Sequence, residues 1–216
     1  MKKIVNIEKA IQSIDDGMSI MVGGFMAVGT PEFLIDALVK KGTKDLIIIC
    51  NDAGYPDKGV GKLISNGQVK KLIASHIGLN PLAGKLMSDG KLEVILTPQG
   101  TLIEQIRAGG SGLGGILTPT GIGTIVEENK EIITIDGKKY LLEKALKADI
   151  ALIGGSISDT KGNTIYNYTT KNFNPTMATA ANTVIVGTGK IVEVGELHVD
   201  NVDTPSIFID YIVEGR

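Results

Sequence analysis

Three short segments of this chain carry groups able to polarise a carbonyl or hold an anion. The first is Gly23 to Pro31, Gly-Gly-Phe-Met-Ala-Val-Gly-Thr-Pro. Ser19 to Val22, just before it, has the length and bounds of a buried strand. Backbone at Gly23 and Gly24 can approach a ligand closely because no Cβ intervenes. Thr30 is suited to cap a helix, Pro31 to enter its first turn, and Glu32 to sit at its positive end. Such a loop would present free N–H groups to a phosphate, a carboxylate or an acyl oxygen. Lengthening Gly24 to Val is therefore expected to harm catalysis more than folding. The other two segments are Asn51-Asp52 and Gln99-Gly100, each at the end of an apolar run read as a strand. Side-chain amides there can donate to an oxygen on which charge develops. The plainer alternatives are a tight turn at the glycines, an Asx-turn at Asn51 and an ordinary first helical turn at Gln99.

Other chemistries lack their residues. His76 and His198 lie far apart, and Cys50 is the one cysteine, so no metal-ligand spacing forms. Gly110-Ser111-Gly112 and Gly155-Ser156-Ile157 do not make the Gly-x-Ser-x-Gly elbow of a serine hydrolase. Gly109 to Gly115 holds five glycines in seven residues, but no Gly-Lys-Ser/Thr follows, so it is not a Walker loop. It reads as a flexible loop. Nowhere do a nucleophile, a base and an orienting group come together.

The elements that must position these residues follow a rhythm of strand, glycine loop and helix. Helix 31–41 places Phe33, Leu34, Ala37 and Leu38 on one face and ends at Gly42. Leu46 to Cys50 is a continuous apolar run, the pattern of a strand covered on both faces. A helix is expected around 60–65, a strand at 72–75, a helix opened by Asn80-Pro81, a strand at 92–96 and a helix capped by Thr97-Pro98. Four such units imply a parallel sheet flanked by helices. The three polar segments then share the carboxyl edge of that sheet, where open α/β folds bind ligands. Beyond them, 132–142 reads as a hairpin on Asp136-Gly137, within an antiparallel insertion near 116–142. Asp149 to Ile153 and Thr183 to Val186 read as buried strands around a helix near Pro175 to Ala181, and Ser206 to Val213 as a closing strand. The expectation is a single α/β domain over 1–216.

At 216 residues, 43% hydrophobic and 21% charged, the composition is that of a globular protein with an ample core. A net charge of −2 and no Lys/Arg run beyond a pair argue against nucleic acid. Nothing reads as a signal peptide or a membrane span, and one cysteine suits a cytoplasmic location.

Taken as a string, Asp16-Gly17, a hydrophobic stretch, Gly23-Gly24-Phe25, three residues and Gly29-Thr30-Pro31 resembles the signature of family I (3-oxoacid type) coenzyme A transferase alpha subunits. Leu96 to Gly110 resembles their second marked segment and Lys171-Asn172-Phe173-Asn174 a third. The clostridial butyrate–acetoacetate type is most similar, through Asn51-Asp52 and the stretch from Gly61 to Lys71. The resemblance implies the coenzyme A transferase alpha-subunit fold. It also implies that Gly24, Phe25, Met26, Ala27, Val28, Gly29 and Thr30 border the coenzyme A site, with Asn51 and Gly100 beside it and Gln99 facing the acyl group. The sequence departs from many relatives at Asp52, where they carry a second amide. The resemblance further implies that the nucleophile is a glutamate in the Ser-Glu-Asn-Gly motif of a beta subunit. This chain lacks that motif. A heterotetramer of two alpha and two beta subunits is expected, with acyl-CoA and carboxylic acids as substrates and no metal or tightly bound cofactor. The alternatives are a sugar-phosphate isomerase or deaminase, or a ligand-sensing domain, of related architecture.

Overall fold

The computed structural model describes residues 3–215. The chain opens with α1 (Ile7–Ile11), whose first turn is capped by the Asn6 side chain accepting from Lys9 N–H. Four strand–helix units follow: β1 (Ser19–Val22) and α2 (Glu32–Lys41), β2 (Leu46–Cys50) and α3 (Gly61–Ser65), β3 (Val69–Ala74) and α4 (Pro81–Ser88), β4 (Glu93–Leu96) and α5 (Gln99–Gly110). Next come β5 (Gly115–Thr118), β6 (Ile132–Ile135), β7 (Lys138–Lys144), β8 (Ala148–Gly155), β9 (Ile157–Asp159) and β10 (Thr164–Ile165). The described elements close with α6 (Asn174–Ala178), β11 (Ala181–Thr188), β12 (Ile191–Val192) and β13 (Tyr211–Glu214).

Seven strands form one parallel sheet in the order β13-β11-β8-β1-β2-β3-β4. Alternation along the central strands divides the core into two layers. Ile20, Val22, Ile48 and Cys50 pack with Leu34, Ile35, Leu38 and Leu63 on one face. Met21 and Ile49 pack with Leu102, Ile106, Met177 and Ile153 on the other. The chain winds outward from β1 to β4, then returns to place β8 on the other side of β1. The sheet's topological switch point therefore lies between β1 and β8, where ligands of such sheets bind.

The α/β class and the parallel sheet agree with the sequence reading, and the differences are local. Thr30 does not cap α2; its hydroxyl donates to Gly23 O at 2.9 Å, and Pro31 stands at the cap without a side-chain bond. Thr97 likewise makes no cap for α5, which Pro98 precedes. The stretch from Gly109 to Gly115 is not one flexible loop. Gly109 and Gly110 complete α5 and Gly115 begins β5. An added Cβ would meet Leu146 O at 1.9 Å, Thr179 Oγ1 at 2.0 Å and Glu143 O at 2.4 Å respectively. These glycines are there for close approach. The hairpin turns on Asp136 and Gly137, both at positive φ, and β5 extends it to a three-stranded antiparallel sheet. Residues 206–208 form a 3₁₀ turn, and the closing strand is shorter than expected. The small sheet of β10, β9 and β12 was not anticipated.

Candidate functional site

At the end of β1 the chain enters a tight reversal held from several sides. Phe25 and Val28 exchange two backbone hydrogen bonds, at 3.0 and 2.9 Å. Met26 and Ala27 between them sit at φ 50° and 65°. That is a two-residue turn of the type that normally demands glycine or asparagine. Left-handed backbone at two non-glycine residues costs roughly 1–2 kcal/mol each, so the surroundings must hold it. Asn172 does so by accepting from Gly24 N at 3.1 Å and donating to Val28 O at 2.9 Å. Fully buried Asn174 accepts from Gly154 N at 2.9 Å and donates to Gly29 O at 3.0 Å. The void beneath the loop is only about 10 Å³, so the loop is packed down on β2 and the 54–60 segment.

This fastening corrects the sequence picture of freely offered N–H groups. Gly23, Gly24, Phe25, Met26, Val28 and Thr30 all direct their N–H to acceptors within the chain. Among the described residues, those of Ala27 and Gly29 are the loop N–H groups without such a partner. The tip instead offers apolar surface, with Phe25 44%, Met26 38% and Val28 46% exposed.

The amides of the other two segments meet. Gln99, at the first position of α5, directs Nε2 to Asn51 Oδ1 at 2.7 Å. Asn51 Nδ2 in turn donates to Asp52 Oδ2 at 2.9 Å. That oxygen also accepts from Met26 N at 2.8 Å, while Asp52 Oδ1 accepts from Gly54 N at 2.9 Å. One chain of hydrogen bonds thus joins α5, the end of β2 and the glycine loop. Asn51 and Asp52 are buried, whereas Gln99 is exposed and keeps one N–H unused. Gly100 follows in the first turn, where backbone N–H groups have no intrahelical acceptor; a Cβ on it would meet nothing within 4 Å.

The surroundings can polarise and position but contain no ready nucleophile. Asp52 has both oxygens engaged. The Cys50 thiol donates to Asp52 O at 3.1 Å; burial, and then the Asp52 charge, push its pKa well above the usual value, which keeps it unreactive. Beside the loop an open cavity of about 780 Å³ is lined by Met26, Val28, Tyr55, Lys58 and Lys62. Burial opposes the charge on Lys62, but hydrogen bonds to Asp36 and Glu32 outweigh it and raise the pKa. The ammonium lies 2.8 Å from Glu32 and 2.6 Å from Asp36. A second cleft of about 260 Å³ opens at the switch point, lined by Gly29, Thr30, Gly154, Gly155 and Gly187. Sequence reasoning missed that cleft and the two asparagine clamps; glycines ending two strands and the repeated Asn of Asn172-Phe173-Asn174 were the available signals. Among the described residues, no cluster of three or more His, Cys, Asp and Glu could hold a metal. No described helix is long and apolar enough to cross a membrane.

The chain as a whole has known counterparts. The family model described as "Coenzyme A transferase" matches residues 4–215. This chain belongs to the coenzyme A transferase family. It is 57% identical over 212 residues to the acetoacetyl-CoA:acetate/butyrate CoA transferase alpha subunit of Clostridium acetobutylicum, covering 98% of this chain and 97% of that one. It is 52% identical over 211 residues to the acetate CoA-transferase alpha chain of Escherichia coli K12, covering 98% and 96%. These matches place it with the alpha chains of the family I enzymes and make it one part of a coenzyme A transferase. The alternatives of an isomerase, a deaminase or a sensing domain fall away. A solved acyl-CoA transferase from E. coli O157:H7, in a thioester complex with CoA, superposes with a TM-score of 0.89 at 25% identity. The match covers 98% of this chain but 47% of that longer one, so this chain spans about half its length. Glutaconate coenzyme A-transferase from Acidaminococcus fermentans shares the fold, with a TM-score of 0.86 at 21% identity over 99% of this chain and 75% of that one.

Proposed function

We propose that this chain is the half of a two-subunit enzyme that polarises the reacting carbonyl, the nucleophile being supplied by a beta subunit. The enzyme moves coenzyme A between a short-chain acyl-CoA or acetoacetyl-CoA and a free acid such as acetate, butyrate or acetoacetate. The observation that carries this reading is the Gln99–Asn51 contact at 2.7 Å, an anchored amide with a spare N–H at the ligand edge of the sheet. The names of the two close relatives support the substrate class.

The chemistry is ping-pong covalent catalysis. A partner glutamate, in a Ser-Glu-Asn-Gly motif, attacks the acyl-CoA carbonyl, and CoA leaves as the thiolate to give an acyl-glutamyl anhydride. The thiolate attacks the glutamyl carbonyl of that anhydride, forming a glutamyl-CoA thioester and releasing the first carboxylate. A second carboxylate then reverses both steps and departs as the new acyl-CoA. Every step passes through a tetrahedral oxyanion, and the spare N–H of Gln99 is available to receive it. Phe25 to Thr30 and Gly100 line the approach of the CoA arm, with buried Gly24 and Asn51 holding them in place. The working assembly is two alpha and two beta subunits in the cytoplasm, with no tightly bound cofactor.

Assaying acetoacetyl-CoA and acetate with each purified chain and with the mixture tests this. Turnover should arise only when both chains are present, on a single species of heterotetramer mass by light scattering. Robust turnover by the alpha chain alone would contradict it.

A further inference from the structure

We infer that Asp52 is a positioning residue whose carboxylate decides which way the Asn51 and Gln99 amides face. The inference rests on Gln99 being the oxyanion donor. An ionised carboxylate only accepts hydrogen bonds. Asp52 is 6% exposed, and its Oδ2 lies 2.9 Å from Asn51 Nδ2 and 2.8 Å from Met26 N. Asn51 must therefore give its nitrogen to Asp52 and turn Oδ1 outward. Turned that way, Oδ1 accepts from Gln99 Nε2 at 2.7 Å and faces the Ser75 hydroxyl at 3.4 Å. Gln99 is thus anchored through its nitrogen. A reversed Asn51 would offer N–H to Gln99 and draw its Oε1 inward, setting a carbonyl oxygen where the donor stood. The same carboxylate holds the N–H of Met26, the first of the two left-handed residues. One buried charge therefore orients both the donor and the loop tip.

Asp52→Asn keeps the size but introduces an NH₂ group. In either orientation that group faces a donor, Gly54 N–H on one side or Met26 N–H and Asn51 Nδ2 on the other. In the reconstituted heteromer kcat should fall about tenfold or more, and loosening of the loop tip should show separately, in KM for acetoacetyl-CoA. The deciding measurement is a double-mutant cycle with Gln99→Ala. Once Gln99 is gone, adding Asp52→Asn should lower kcat by no more than about twofold, because there is no donor left to orient. The same tenfold loss in both backgrounds would overturn the inference. Gln99→Ala with unchanged turnover would remove the oxyanion reading instead, so the two failures are told apart. Side-chain amide hydrogen exchange on the ¹⁵N-labelled full chain gives a readout free of catalysis. One Nε2 proton of Gln99 should be protected in the wild type and lose that protection in Asp52→Asn. A wild-type Gln99 amide exchanging as fast as a free glutamine would overturn the inference even if the variant failed to fold.

Discussion

Gln99 and Gly24 test the proposed division between catalytic and structural roles at the level of single residues. Gln99 is exposed and its side chain hydrogen-bonds to Asn51, so its truncation should spare the fold. Removing one donor of this kind costs on the order of 3–4 kcal/mol of transition-state stabilisation. Gln99→Ala with a wild-type partner should lower kcat by roughly two orders of magnitude, and Gln99→Glu should be no better because a carboxylate repels an oxyanion. A normally assembled Gln99→Ala heteromer with near-wild-type turnover would show that the glutamine only starts its helix. Gly24 is the opposite case. Its sequence position suggested a ligand contact, but its φ is 122° and an added Cβ would lie 2.0 Å from Thr30 Oγ1. Gly24→Ala should therefore lower the melting temperature and the activity together, with a stability loss of about 2 kcal/mol or more from backbone and clash combined. An unchanged melting temperature would restore the ligand-contact view.

The clamps operate between elements. Asn174 ties the end of β8 to the glycine loop, and its loss leaves Gly154 N–H and Gly29 O without partners in a buried place. Asn174→Ala should destabilise by about 2–3 kcal/mol in denaturant titrations; a loss below about 0.5 kcal/mol would mean water replaces the amide freely. At the other end of the sheet, Asp149 joins β8 to the start of β1. Its Oδ2 accepts from Ser19 Oγ at 2.6 Å and Ser19 N at 2.9 Å, and those bonds, the hydroxyl first, hold its pKa below the usual carboxylate value. A carboxyl whose folded pKa is depressed stabilises fully above its unfolded pKa, near 3.9, and the contribution vanishes as pH falls through the folded value. Ser19→Ala should therefore flatten the dependence of stability on pH below about 4. An acid limb identical to wild type would remove this role. The elements around these contacts were largely legible in the chain, because β1 to β4 each hold an apolar stretch bounded by glycine, asparagine or proline, although β3 begins earlier, through Lys70 and Lys71, and β4 opens on Glu93. The small sheet was not, since β10 and β12 are two-residue strands whose pairing depends on tertiary contacts rather than on pattern. The clamps were hidden for a similar reason: Asn172 reaches Gly24 across 148 positions, and no local spacing announces such a bond.

Over the whole molecule, the sheet gathers residues from separate stretches onto one edge, and the gathering is what composition and periodicity could foretell. The three segments Gly23-Gly24, Asn51-Asp52 and Gln99-Gly100 do share that edge. What they could not foretell was Asp52, which from sequence was a departure from its relatives and in the fold is the link between loop and amides. The fold also separates labour. At this edge Gln99 keeps a spare N–H, while the carboxylate and thiol beside it are engaged within the chain. The covalent intermediate should accordingly form on another chain. Intact-mass spectrometry of the heteromer, quenched in acid after brief incubation with acetoacetyl-CoA, locates that intermediate. The expected result is a CoA-sized addition on the beta subunit, lost when acetate is added before quenching, with this chain unmodified throughout. A CoA adduct on this chain would contradict the assignment of the nucleophile to its partner.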